Sequence, residues 1–595
     1  MSCYSENKNV QMLIAILKAN NIKKIVASPG TTHMSFVGNV LQDPFFEVYS
    51  EIDERNAAYM ACGLAYESGE AVVITCTGAT ASRNFIPGLT EAFHRKLPII
   101  AVTGAYDRSN TGHLLPQFID RSSVPEELVK LSVHLQVVKD KTDEWDCNVK
   151  INKAVLECFR HGGGPVHINF TTISHAKFSM DALPATRIIK RFFTGDDLPK
   201  IPENTRIAIS VGAHHPWTVE ETQAIDRFCE AYNAVVLVDH SSNYYGKHRI
   251  LPTIITSQEY YPDDLFQFDL LLHIGEHSGD YYTYGALHHV REVWRISKDG
   301  EIRDTFHKLT NVFEMSEKTF FLSYARDQKK VAMTEYLRLK SAVSELYKII
   351  PDMPLSNIWV AKNMSARLPA NSMVQLGVSN TMRSWTFFEL PENIKSIANI
   401  GCRGIDGTLS AVTGMSLVNP DKLYFCILGD LTFFYNVNAL GNRNIGNNLR
   451  ILVINNGSGG EFHLYCHPCR SFWKDDVEAF IAGSGHFGNK SRTLVKHYAE
   501  AMGFEYLSAE TKETVLNVME RFLSPDMTEK PMLLEIFTEC DSESDALKII
   551  RNLISAPEKE VTIKEKVKKA LPKAIMDKVH DIKKAYHCLK GNEPQ

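Results

Sequence analysis

Residues 427–462 read ILGDLTFFYNVNALGNRNIGNNLRILVINNGSGGEF, and this stretch decides the fold. An apolar run ends in Gly429-Asp430, a helical pattern follows, and a second apolar run ends in Asn455-Asn456-Gly457-Ser458. Two apolar runs joined through a helix read as neighbouring parallel strands, and ligands bind outside the carboxyl ends of such strands. Asp430 brings a hard carboxylate to that end, Asn456 a carbonyl oxygen, and the irregular backbone at Ser458 another carbonyl. The set suits octahedral magnesium, which also takes phosphate oxygens. Gly457, Gly459 and Gly460 let the backbone approach a diphosphate closely. The plainer alternative is a strand-to-loop turn capped by Asp and Asn; GD followed at this distance by NN between two apolar strands is the more specific pattern.

The same rhythm extends outward in both directions. Upstream, residues 10–180 alternate a helix (VQMLIAILKANN), a strand (KIVAS), a second helix (ERNAAYMACGLAYES) and the strands AVVITC, LPIIAVTG and GPVHINF. A linker is expected at about 185–203, where basic, acidic and Pro residues mix. RIAISVG, VVLVDH and LLLHIG form a middle segment, and VQLGVS, LYFCILGD, ILVINN and PMLLEIF a third. The expected architecture is α/β: three consecutive doubly wound parallel-sheet domains at 1–185, 200–345 and 352–555, then a basic amphipathic helical extension over 556–595. That extension packs on the body or a sister subunit, or binds a partner.

Composition narrows the functional classes. Of 595 residues, 44% are hydrophobic and 23% charged, which excludes global disorder. The 65 Lys+Arg against 70 Asp+Glu leave a net charge of -5, so no global field recruits nucleic acid or an anionic membrane. No apolar stretch approaches the ~18 residues of a membrane span, and the N-terminal MSCYSENKNVQ lacks a signal-peptide pattern. Cys62, Cys76, Cys158 and Cys426 have apolar neighbours and read as buried thiols of a reducing, cytoplasmic compartment. A small-molecule substrate is expected.

The GD…NN stretch resembles the signature of the thiamine diphosphate enzymes of the 2-oxoacid decarboxylase and acetolactate synthase superfamily, with Leu431 where that signature carries a third-position Gly. A second stretch supports the resemblance. In DERNAAYMACGLAYES, Glu54 precedes Ala57, Ala61, Gly63 and Ala65, as on the family helix whose glutamate bonds the cofactor's aminopyrimidine ring. Sharing a proton there favours the tautomer that activates the thiazolium carbon. Within the superfamily, SPGTTHMSF, NFIPGLTEA, GVSNTMR, GIDGTLS and NNGSGGEF are most similar to the synthases of the MenD type in menaquinone biosynthesis. The resemblance implies pyrimidine-binding, middle and diphosphate-binding domains in a homodimer or dimer of dimers, with Glu54 of one subunit facing Asp430 of the other. It implies thiamine diphosphate and Mg2+ held by Gly429, Asp430, Leu431, Asn456, Ser458, Gly459 and Phe462, Ile405 wedging the cofactor, and Gln117 beside the reacting ring.

Departures from the MenD pattern concern the substrate. Its SPGSR-like arginine is replaced by Thr32, and the arginine of its NRGASGIDG motif by Ile400, with Arg403 nearby. A buried arginine–carboxylate contact is worth about 1.5–3 kcal/mol, so losing two argues against the same dicarboxylate donor and isochorismate acceptor. Ser379 and Arg383 match the substrate-side serine and arginine; Arg383 either holds an anionic group or pairs with a structural carboxylate. His33, at the mouth of the expected site, is either a proton-transfer group or a satisfied loop histidine. His463, Cys466 and Cys469 have zinc-like spacing without a fourth ligand. The functional expectation is a carboligase that decarboxylates a 2-oxoacid and transfers the remaining fragment to an acceptor. The alternatives are the menaquinone-pathway synthase itself with a clamp rebuilt from Arg383 and Arg403, a simple decarboxylase, and a non-catalytic cofactor-binding scaffold.

Overall fold

A computed structural model describes residues 4–554 except 79, 119–123, 174–176, 263, 327, 473 and 486–489. The expected extension over 556–595 lies outside the described residues. The chain divides into two units: 1–251 with 266–340 and 392–403, and 252–265 with 341–391 and 404–595.

Among the described residues the first unit contains two parallel sheets and a short antiparallel pair, Tyr4–Ser5 with Phe178–Met180. In the first sheet, β1 (Lys24–Ala27), β2 (Glu47–Ser50), β3 (Val72–Thr77), β4 (Ile99–Ala105), β5 (Ser132–Leu135) and β6 (Val166–Thr171) are all parallel, in the order β2-β1-β3-β4-β6-β5. β4 and β6 are buried along their whole length; β4 reads as a nearly continuous apolar run, whereas β6 (VHINFT) alternates apolar residues with His167, Asn169 and Thr171, which are buried and hydrogen-bonded. The helix Glu54–Ser68 packs through its small residues, Ala57, Ala58, Ala61 and Ala65. Its close approach to the helix Ile86–His94 depends on Gly88, where a Cβ would fall 2.4 Å from that of Ala58.

The second sheet contains β7 (Lys190–Phe193), β8 (Ile207–Val211), β9 (Val235–Val238), β10 (Arg249–Ile250), β11 (Leu270–Ile274), β12 (Glu292–Ser297) and β13 (Leu309–Glu314), in the order β10-β9-β8-β11-β12-β13-β7. β7 falls inside the stretch read as a linker. It joins β13 as a parallel edge strand, with Phe192 stacked on Phe313 at 5.2 Å. Its exposed and half-buried residues carry no continuous apolar run, so its pairing is invisible to hydropathy.

In the second unit, β14 (Met373–Leu376), β15 (Tyr424–Gly429), β16 (Leu449–Asn455), β17 (Glu505–Ala509) and β18 (Met532–Phe537) pair in the order β14-β15-β16-β18-β17, all parallel. The last strand is inserted between the two before it, as β6 is between β4 and β5. Three parallel sheets with flanking helices are therefore present, and no helix among the described residues is long and apolar enough to cross a membrane.

Candidate functional site

β15 and β16 are neighbours, with Gly429 opposite Ile454, so Asp430 and the Asn455-Asn456 pair emerge side by side at their carboxyl ends. Asp430 is 4% exposed. Its Oδ1 accepts the Leu431 N–H at 3.0 Å, and the Gly457 N–H also faces the carboxylate. Burial pushes its carboxyl up to about 7, only partly offset by these two amides, and buried Glu535 raises it further. Among the described residues no side-chain cation pairs with it.

The turn after β16 is built by glycine. Gly457 has φ 73°, a left-handed conformation that favours glycine. The Gly459 N–H donates to Ala482 O at 2.6 Å, and a Cβ there would meet that oxygen at 3.0 Å. A Cβ on Gly460 would come within 2.8 Å of Asn456 Nδ2. Asn456 Oδ1 accepts the Ser458 N–H at 3.2 Å, and the Ser458 hydroxyl bonds His463 Nε2 at 2.9 Å. The Phe462 ring meets His467 edge-on at 5.3 Å. A buried carboxylate without an internal counter-ion, beside an amide oxygen and a turn lined by backbone, fits a divalent cation carrying a diphosphate.

The substrate-side motif lies on the loop after β14 and the helix Asn380–Thr386. Ser379 is exposed with φ 60° and ψ -120° just before that helix. Arg383 is buried, and its Nη2 donates to both oxygens of Glu461 at 2.6 Å. Of the two readings of Arg383, the structure shows the one with a carboxylate of the protein. Asn380 Oδ1 accepts from Arg383 Nη1 at 3.4 Å, and Asn380 Nδ2 reaches Glu543 at 3.5 Å. Glu543 is buried and accepts the Asn357 N–H at 2.9 Å and the Thr538 hydroxyl at 2.8 Å, yet burial still pushes it up to about 7. Glu461 and Glu543 escaped the sequence reading because only their spatial neighbours distinguish them from surface acids. Ile405, half-buried, lies in the loop before the helix Thr408–Ser416.

In the first unit, Glu54 opens its helix as the first residue after Asp53, whose carboxylate caps the N–H groups of Arg55 and Asn56. Its side chain is half-buried and accepts from Asn84 Nδ2 at 3.2 Å. Gln117 is exposed in a turn with φ 68°, next to the 119–123 segment that lies outside the described residues; Arg403 is exposed with φ 53°.

Of the two readings of His33, the structure shows the satisfied loop histidine: it is 1% exposed rather than open to the site, its Nδ1 bonds Thr75 Oγ1 at 2.9 Å, and burial brings its pKa down to about 4. Thr32, expected to face substrate, is buried, and its hydroxyl is engaged by Thr77 and Gly104 O. The reason is how closely the loop lies on the strand ends: a Cβ on Gly104 would fall 2.3 Å from Thr32 O. The zinc-spaced run also disperses. His463 bonds Ser458, Cys466 is exposed, Cys469 is buried beside Val477 and Ala482, and no metal-holding cluster occurs among the described residues.

Comparison with known proteins gives a concordant picture. Residues 8–124 match the thiamine pyrophosphate enzyme N-terminal TPP binding domain, and residues 378–536 the C-terminal TPP binding domain. The chain is similar to the 2-succinyl-5-enolpyruvyl-6-hydroxy-3-cyclohexene-1-carboxylate synthase of Phocaeicola vulgatus, 31% identical over 92% of this chain and 98% of the relative. It is 30% identical to the synthase of the same name from Bacteroides thetaiotaomicron, over 92% and 98%. The Flavobacterium johnsoniae synthase is 27% identical over 89% and 95%.

Proposed function

Given that this chain belongs to the thiamine pyrophosphate enzyme family and is a decarboxylating carboligase by kinship, we propose that it binds the cofactor through Mg2+ and acts on a 2-oxoacid and a separate small-molecule acceptor. The observation that carries this reading is the buried Asp430 carboxylate, which has no side-chain counter-ion among the described residues, beside Asn456 and the 457–460 turn. Asp430, Asn456 and the Ser458 carbonyl hold the metal, while Gly429, Leu431, Gly459 and Phe462 border the diphosphate. When bound, thiamine diphosphate supplies a thiazolium carbon that acts as the nucleophile toward the 2-oxoacid carbonyl.

The protein's own groups do the rest. Glu54 holds a proton at its carboxylate oxygen against the aminopyrimidine ring. Ile405 supports the cofactor's shape, and Gln117 with Ser379 orients the reacting group. The neutral His33 ring holds the Ser28–Thr32 loop on the strand ends, and Arg403 stands ready for the carboxylate that every 2-oxoacid carries at C1. Ile52, Tyr59 and Tyr66, exposed just before and along the helix that Glu54 opens, support a homodimer in which Glu54 serves the partner's cofactor. The domains at 1–185, 200–345 and 352–555 serve as pyrimidine-binding, middle and diphosphate-binding parts.

The test is calorimetry of thiamine diphosphate with and without Mg2+, followed by carbon dioxide release from a panel of 2-oxoacids with and without acceptors. Metal-dependent binding and acceptor-dependent release are expected; binding without metal dependence refutes the Asp430 assignment. A second reading, the synthase named in the relatives, is favoured by the 98% of those proteins that the chain spans. Product formation from isochorismate and 2-oxoglutarate decides it.

A further inference from the structure

Arg383 and Glu461 are 78 residues apart in sequence, and the fold closes them into an ion pair in which one guanidinium nitrogen donates to both carboxylate oxygens at 2.6 Å. The arginine side chain is 3% exposed and the glutamate 30%. Glu461 follows Gly459 and Gly460 directly, so the turn that carries Asn456 and Ser458 also carries the arginine's counter-charge. The other terminal nitrogen of Arg383 points to Asn380 Oδ1, whose amide is in turn tied to Glu543. The guanidinium thus reaches the loop after β14 already neutralised. A substrate carboxylate at this position meets a like charge on Glu461 and must displace it, whereas an uncharged group meets no net charge.

We infer that Glu461 is a specificity-determining residue that occupies the place of a substrate carboxylate on Arg383, so that the donor is a monocarboxylic 2-oxoacid with an uncharged chain. The inference rests on the proposed cofactor chemistry and explains why Thr32 and Ile400 can stand where arginines are expected: Thr32 is spent on Thr77 and Gly104, and Ile400 is buried. The three positions share one consequence, since none leaves an uncommitted cation for a distal carboxylate.

The test uses the full chain loaded with thiamine diphosphate and Mg2+, with two non-decarboxylating donor analogues, acetylphosphonate and succinylphosphonate, the second longer by a methylene that carries the distal carboxylate. Affinities are read by calorimetry for the wild type, Glu461→Gln and the double variant Glu461→Gln/Arg383→Gln. Glu461→Gln keeps the side chain's shape but leaves the buried Arg383 without its counter-charge, so thermal unfolding of each variant precedes the titrations, and the double variant, which removes both charges, serves as the folded control. The wild type is expected to bind acetylphosphonate at least as tightly as succinylphosphonate. Glu461→Gln should tighten succinylphosphonate about tenfold or more and leave acetylphosphonate within about twofold, and the double variant should lose the gain. A wild type that prefers succinylphosphonate, or a Glu461→Gln variant that changes both analogues alike, overturns the inference while the cofactor reading stands. Failure of the loaded state itself, seen as absent thiamine diphosphate binding in the first titration, overturns both.

Discussion

Replacing Asp430 by Asn should stabilise the metal-free protein, and by an amount that grows with pH. The carboxyl ordinarily titrates at 3.8, and burial moves it to about 7 in the folded chain. A carboxyl whose folded pKa is raised costs nothing below its unfolded value. It becomes progressively destabilising as pH rises through the interval, because the unfolded state ionises first. With a shift of about three units at about 1.4 kcal/mol each, the cost is about 0.5 kcal/mol at pH 4 and about 4 kcal/mol at pH 8. Asn keeps the side chain's shape and removes the charge. In EDTA, thermal and urea unfolding at pH 4, 6 and 8 should therefore show wild type and Asp430→Asn converging at the acid end and the variant ahead by several degrees at pH 8. Adding Mg2+ with thiamine diphosphate should reverse the order, since a bound cation stabilises the carboxylate and has no charge to meet in the variant. Parallel pH profiles, or equal stabilisation of both proteins by the metal, would refute the view of Asp430 as a buried charge awaiting a cation.

Glu54→Gln should lower turnover by about 10²–10⁴-fold with cofactor affinity changed only a few-fold, and near-wild-type turnover at saturating cofactor would remove it from the chemistry. Gly460→Ala puts a methyl 2.8 Å from Asn456 Nδ2, so metal-dependent cofactor affinity should fall about tenfold by calorimetry; unchanged affinity would mean that Asn456 is not a ligand. His33, whose pKa is lowered from 6.5 to about 4, stays neutral in the fold while the unfolded chain gains a proton below 6.5. Its contribution is complete above pH 6.5 and is lost as pH falls toward 4, by about 3 kcal/mol. His33→Asn should flatten that limb of the stability profile and leave the shape of the pH–rate profile unchanged; a vanished kinetic limb would return His33 to proton transfer.

The helix Glu54–Ser68 was legible because its start and stop are local. Asp53 caps the first amides, and Gly69 with φ 67° ends it. The strands on either side of Asp430 were legible for a similar reason: covered on both faces, they become continuous apolar runs bounded by Gly, Asp and Asn. Lys190–Phe193 was not, because an edge strand has no such run and owes its existence to the partner that lies beside it.

The linear sequence therefore determined the alternation of strands and helices, the family, and the acid, amide and glycines that end two adjacent strands. Those depend on interactions within a few residues and on hydrophobic period. The tertiary structure alone decided that Arg383 is neutralised by Glu461, that His33 and Thr32 are folded under their own loop, and that Ser458 is paired with His463. Charge and burial are properties of neighbours in space, and the loops that supply those neighbours are brought together only when the sheets close.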